Sequence, residues 1–114
     1  MEFTDSLKNN YEFRRLYSKG KSSASSRLVL YCRKNRLGQN RIGLTVGTKI
    51  GNAVARNKVR RRLREIYRTN ELLFASGYDI VVVARARSRE SEYSELLADF
   101  LRLAGNLGLL SERQ

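Results

Sequence analysis

Hydrophobic positions in this chain follow two different rhythms, and the switches between them mark its elements. Phe13, Leu16 and Tyr17 share one face at helical spacing, which predicts a first helix over residues 10–18. Asn9 is placed to cap it, Glu12 three residues on completes a capping-box pattern, and Gly20 is placed to end it. Residues 19–26 are polar and basic and read as a connection. From Arg27 to Arg33 the period becomes two, with Leu28, Leu30 and Cys32 on one side and Arg27, Val29, Tyr31 and Arg33 on the other. Residues 41–46 repeat the division: Ile42, Leu44 and Val46 oppose Arg41, Gly43 and Thr45. The intervening stretch KNRLGQN reads as the turn that pairs these two strands as a hairpin.

Tyr78 to Ala84 (YDIVVVA) is almost uninterrupted in apolar character, as expected of a strand covered on both faces in a sheet interior. Tyr93, Leu96, Leu97, Phe100, Ala104 and Leu107 then recur at steps of three and four, predicting a last helix that packs on the sheet. Ser88 or Ser91 can cap it, with Glu92 and Glu95 near its positive end. The order helix, strand, strand, helix, strand, helix indicates an α/β fold, an α+β sandwich around a small mixed sheet. With 114 residues, one domain over residues 1–114 is expected.

The remaining helix, Ala53 to Arg68, changes the picture. Residues 49–68 read KIGNAVARNKVRRRLREIYR and hold eight cations against one acid, Glu65. On a helical wheel Val59, Leu63, Ile66 and Tyr67 fall within about one third of the circumference and form an anchoring stripe. Asn57, Arg60, Arg61, Arg64 and Arg68 cluster on the adjacent arc, and Lys58, Arg62 and Glu65 take the outer side. Arg56, Arg60, Arg64 and Arg68 step at intervals of four, and each like-charge pair costs an isolated helix roughly 0.2–0.5 kcal/mol. A polyanion would relieve that repulsion. Asn52 is a plausible N-cap, and the amides there could receive an anion.

Overall charge agrees. There are 23 Lys and Arg against 11 Asp and Glu, a net +12, and the excess lies entirely within residues 1–89. Seventeen of the cations are arginine, which forks onto phosphate and stacks on bases. Tyr31 shares its strand face with Arg27 and Arg33, the equipment for stacking single-stranded bases. No apolar run is long enough to span a membrane, and the start MEFTDSLKNN lacks a signal-peptide core. The single cysteine, Cys32, suits a reducing cytoplasm. Histidine is absent, Asp79 and Glu65 have no neighbouring carboxylate, and no metal site by protein side chains alone is evident. The chain therefore reads as an RNA-binding protein without catalytic groups of its own. A ribosomal or ribosome-associated protein fits these observations as an alternative. A DNA-binding module fits less well, because strands flank the basic helix.

The run Lys49-Ile50-Gly51-Asn52-Ala53-Val54-Ala55-Arg56-Asn57-Lys58-Val59-Arg60-Arg61-Arg62-Leu63-Arg64 resembles the signature of the bacterial ribonuclease P protein subunit. YEFRRLYSKGKS, LVLYCRKN, RIGLTVGTKIGNAV and DIVVVARARS follow in that family's order. Tyr17 stands where the family often has phenylalanine, and the tail before Tyr11 is less basic than in many relatives. The resemblance implies the fold of the second domain of the fifth small-subunit ribosomal protein, with a left-handed β-α-β crossover around the basic helix. It also implies an accessory subunit of a ribonucleoprotein endonuclease. In such an enzyme the ribonuclease P RNA, with magnesium, removes the 5′ leader of precursor tRNA. Carried over to this chain, Phe13, Tyr17 and Tyr31, with Arg27 and Arg33 beside them, would form a leader cleft edged by Arg60 and Arg64. Lys49, Asn52, Arg56, Asn57, Lys58, Arg61 and Arg68 would mainly meet the RNA subunit.

Overall fold

A computed structural model describes residues 3–111 of the chain. Among them are five strands and three α-helices: β1 (Thr4–Ser6), α1 (Asn10–Lys19), β2 (Lys21–Ala24), β3 (Leu28–Lys34), β4 (Asn40–Thr45), α2 (Ala53–Asn70), β5 (Tyr78–Ala84) and α3 (Tyr93–Asn106). The mixed α/β class is as expected, but the sheet is wired differently. Its order is β1-β4-β5-β3-β2. The predicted hairpin of β3 with β4 does not form. Instead β5 lies between them, antiparallel to β3 (Tyr31 opposite Val81) and parallel to β4 (Gly43 opposite Val81). The reason is in β5 itself: an apolar strand buried on both faces gains most at the centre of the sheet, with a partner on each edge.

Two edge strands complete the sheet. Residues 21–24, read as a connection, pair antiparallel with β3. Their polar pattern suits an edge that faces water. β1 pairs parallel with residues 40–42 of β4 and then stops. Beyond Leu7, whose N–H donates to the Ile42 carbonyl at 2.9 Å, the edge of β4 lies past the reach of β1.

The strand alternation divides the core. Leu28, Leu30, Cys32, Ile42, Ile80 and Val82 face α2 and α3, where they meet Val59, Leu63, Ile66, Tyr67, Leu96 and Phe100. The anchoring stripe of α2 is thus the one the wheel predicts. Each such side chain contributes about 1.5–3 kcal/mol on full burial. On the other face Leu7, Leu16 and Val81 form a smaller core under α1, with Phe13, Tyr31 and Val83 packed against it.

Caps differ in detail. Asn52 caps α2 as expected, its side-chain oxygen accepting the Ala55 N–H at 3.0 Å. Asn9 precedes α1 without a side-chain cap, and Glu12 turns away to Arg41. Gly20 ends α1 in extended backbone (φ −80°). Glycine is needed there for space: an added Cβ would sit 2.7 Å from the Leu16 oxygen and 2.8 Å from that of Cys32. In α3 the cap is Glu92, whose N–H donates to the Glu95 carboxylate at 2.8 Å. Ser88 and Ser91 are buried one turn earlier, and their hydroxyls bond the Arg85 and Arg87 carbonyls. Tyr93 is exposed and Leu103 takes its place in the core, so the packing stripe of α3 begins at Leu96.

Candidate nucleic-acid interface

The open edge of β4 is the floor of a groove between α1 and α2. Ile42, Gly43 and Leu44 lie at its base, Phe13 of α1 forms one wall, and Arg60 and Arg64 of α2 form the other, enclosing about 230 Å³. Leu44 and Phe13 continue into a wider hollow of about 480 Å³ that Tyr17, Arg14 and Thr45 share. Thr45 in turn borders a third hollow, of about 640 Å³, beside Thr48, Lys49, Arg85 and Arg87. The groove therefore runs along β4 with rings on one wall and cations at both ends.

Its aromatic wall is positioned from below. Gly43 lies directly under Phe13: a Cβ there would stand 2.7 Å from Phe13 Cε1 and closer still to Cζ. Only a bare backbone lets this ring lie on the sheet. Tyr17, 39% exposed, shares a hydroxyl–hydroxyl hydrogen bond of 2.6 Å with Thr45. Tyr31 meets the edge of the Tyr17 ring at 5.0 Å between centroids and backs it from β3. Arg41 fixes α1 over the sheet, because its guanidinium bridges Glu12 of α1 at 2.6 Å and Asp79 of β5 at 2.8 Å. Burial pushes the Asp79 carboxyl up, but hydrogen bonds from Arg41 and Asn35 outweigh it and hold the group below its usual range. The hydrogen bond to Asp79 raises the Arg41 guanidinium in turn.

The cations of α2 divide by partner. Arg56 is half-buried and donates to the Gly51 carbonyl at 2.7 Å, so it braces the helix start. Arg62 turns inward to the Ser91 carbonyl at 3.0 Å. Arg68 pairs with Glu65 at 2.6 Å across one exposed turn. Arg60 donates to Asn57 at 2.9 Å and lines the groove, with no other side-chain hydrogen bond among the described residues. Lys58, Arg61 and Arg64 are exposed, with no carboxylate partner among the described residues. Lys49 is exposed at the far hollow, and Asn52 is occupied in capping.

Two expected cleft residues lie elsewhere. Arg27 turns to α3 and the segment before it, bonding Ser91 at 3.0 Å, Glu95 at 2.9 Å and Asp99 at 3.4 Å, so it fastens the start of β3 to the helix on the opposite face. The strand has not begun at residue 27, and alternation does not carry back to it. Arg33 shares the face of Tyr31 but opens on a different hollow, across α1 from Phe13 and Tyr17. Gly43, Thr45 and the Glu12–Arg41–Asp79 bridge are contributors that hydrophobic patterning does not single out. A glycine inside an alternating strand is the one sequence sign of a close approach there.

Cys32 is buried, and desolvation raises its thiol above the ordinary value. No helix among the described residues is long and apolar enough to cross a membrane.

The family model described as ribonuclease P matches residues 1–108. The chain is 43% identical over 106 residues to the ribonuclease P protein component of Natranaerobius thermophilus, covering 93% of this chain and 92% of that one. It is 46% identical over 101 residues to that of Lachnoclostridium phytofermentans, covering 89% and 87%. Among solved structures, the RNase P protein of Staphylococcus aureus superposes with a TM-score of 0.85 at 29% identity, covering 93% of this chain and 97% of that one. That of Thermotoga maritima gives 0.78 at 31% identity, covering 86% and 93%.

Proposed function

The chain belongs to the ribonuclease P protein family, and we propose that it works by holding precursor tRNA to a catalytic RNA through two separate surfaces. The observation that carries this reading is the groove in which Phe13 faces Arg60 and Arg64 across the edge of β4. A single strand fits such a site chemically: bases stack on rings while the backbone runs between guanidinium groups. The 5′ leader of precursor tRNA is the strand we assign to it. Tyr17, held by Thr45 and backed by Tyr31, supplies a second ring one step along.

The outer surface of α2, with Lys58 and Arg61 exposed, supports contact with the ribonuclease P RNA. Burial of Val59, Leu63, Ile66 and Tyr67 fixes the helix, so its backbone need not reorganise when these cations meet phosphates. The protein's contribution is then electrostatic and positional. It lowers repulsion between two RNAs and tethers the leader, so less magnesium is needed to bring them together. Magnesium itself belongs on the RNA in this reading. Glu12 and Asp79, which lie across α1 from the groove, are both bound by Arg41. The single buried cysteine suits the reducing cytoplasm, where we place this work. The comparisons favour this reading over a ribosomal protein.

Binding by the reconstituted complex tests the leader assignment. Tyr17→Ala should weaken leader-bearing tRNA by one stack, about 1–3 kcal/mol, and leave mature tRNA unaffected. Equal losses for both substrates would overturn it.

A further inference from the structure

On the flank of α1 away from Phe13 and Tyr17 lies another hollow, of about 480 Å³, with Arg41 and Asp79 among its lining and Arg15, Arg33, Lys34 and Arg36 around it. Its two carboxylates, Glu12 and Asp79, are both engaged by Arg41, and although Asp79 also feels the charge of Arg33, five cations face two acids around the hollow. The four cations other than Arg41 are exposed, and none has a salt bridge among the described residues. The Arg15 guanidinium stands 5.0 Å from the centre of the Tyr11 ring, which is itself 56% exposed. The loop that carries Arg36 is pinned to the sheet. Asn35 donates to Asp79 at 2.9 Å and accepts the Leu37 N–H at 2.8 Å, and Arg36 sits in the left-handed region at φ 63°.

Five cations against two carboxylates leave the hollow a net +3, and a polyanion relieves their mutual repulsion. The exposed ring beside Arg15 selects among polyanions, because unstacked bases can use it and a closed duplex cannot. Position selects further. This hollow shares a sheet face with the aromatic groove, whereas α2 lies on the opposite face. One helix, about 10–12 Å across with its side chains, separates the two hollows. We propose that the Arg15–Arg33–Arg36 hollow binds the phosphodiester backbone of leader nucleotides lying farther from the cleavage site than those in the groove, the strand crossing over α1. This extends the leader reading of the groove and rests on it.

The test uses the reconstituted ribonucleoprotein and precursor tRNAs with leaders of graded length, beside leaderless tRNA. The variant combines Arg15→Ala, Arg33→Ala and Arg36→Asn, since asparagine tolerates positive φ. A thermal melt confirms that it is folded. The wild type should bind a long leader more tightly than one that only fills the groove. The variant should lose that gain and keep the wild-type affinity for the short leader. Its slope of log affinity against log salt on the long leader should fall by about 0.7 per lost phosphate contact. Arg102→Ala, which removes an exposed cation of α3, should keep the gain. A variant that retains the gain overturns the proposal, as does a wild type that shows none. Equal losses on every substrate, leaderless tRNA included, would assign these cations to the RNA subunit and also overturn it. Failure of the groove reading shows separately: Phe13→Ala would then leave the preference for short-leader over leaderless tRNA intact.

Discussion

Gly43→Ala adds one methyl group to β4 beneath Phe13, and its effect should be read in both stability and RNA binding. The new Cβ would lie 2.7 Å from Phe13 Cε1, closer to Cζ, and 3.3 Å from the Leu7 Cβ. Carbon atoms rest at about 3.5–4.0 Å, so the ring must retreat by roughly 1 Å. Leu7, Leu16 and Val81 fill the space beneath α1, which leaves movement toward the groove as the open direction. Overpacking of this kind costs about 1–3 kcal/mol of stability. Displacing the ring should also remove one base stack, about 1–3 kcal/mol, or roughly 5- to 150-fold in affinity at 1.4 kcal/mol per factor of ten. The assay is equilibrium binding of leader-bearing and leaderless tRNA by the reconstituted complex, with a parallel thermal melt. The leader-bearing substrate should lose affinity while leaderless tRNA does not. Adding Phe13→Leu to Gly43→Ala should recover stability, because the smaller side chain clears the methyl, without recovering leader affinity. Wild-type leader affinity in Gly43→Ala, or equal loss on both substrates, would refute the role given to Phe13.

Replacing Arg60 and Arg64 together by alanine should flatten the salt dependence of binding by up to about 0.7–0.9 units per lost phosphate contact, and an unchanged slope would remove them as phosphate ligands. Arg41→Met should lower stability in urea unfolding by about 1–3 kcal/mol, since it leaves Glu12 and Asp79 without their shared partner, while Arg41→Lys should recover only part because lysine cannot fork onto both. The Asp79 carboxyl sits below its unfolded value, so the unfolded chain binds more protons in acid. Its contribution should be complete above about pH 4 and lost as the pH falls below that, so Asp79→Asn should flatten the stability profile in that window. Cys32, buried with a raised thiol pKa, should resist alkylation in the native protein at neutral pH and react on unfolding. Fast native labelling would show that β3 opens.

The parts legible in the sequence are those in which one element declares its own face. Val59, Leu63, Ile66 and Tyr67 sit where the wheel puts them, and so do Leu28, Leu30 and Cys32 on β3. Strand pairing is a relation between elements, and proximity in sequence suggests a hairpin of β3 with β4 that the sheet does not contain. The apolar run of β5 already argued for a central strand, a requirement that β3 and β4 paired together could not meet. β1 and β2 are short and polar because they are edges, so periodicity had little to register. In the candidate site, residue type found the rings and arginines but not their sides. Arg27 shares parity with Tyr31 yet lies before the strand and turns to Glu95 and Asp99. Arg33 keeps the expected face, but α1 stands between it and the groove. Gly43 carries no chemistry of its own, and only the ring above it shows why it is glycine.

Reconstitution tests the whole scheme most directly. The protein is added to a bacterial ribonuclease P RNA at a magnesium concentration too low for the RNA alone, and release of the 5′ leader from precursor tRNA is followed over time. The wild-type protein should restore cleavage at the mature 5′ end, and the Arg60, Arg64 double alanine variant should need more magnesium to do so. No restoration by the wild type, with the RNA shown to be active at high magnesium, would contradict the function assigned to this fold.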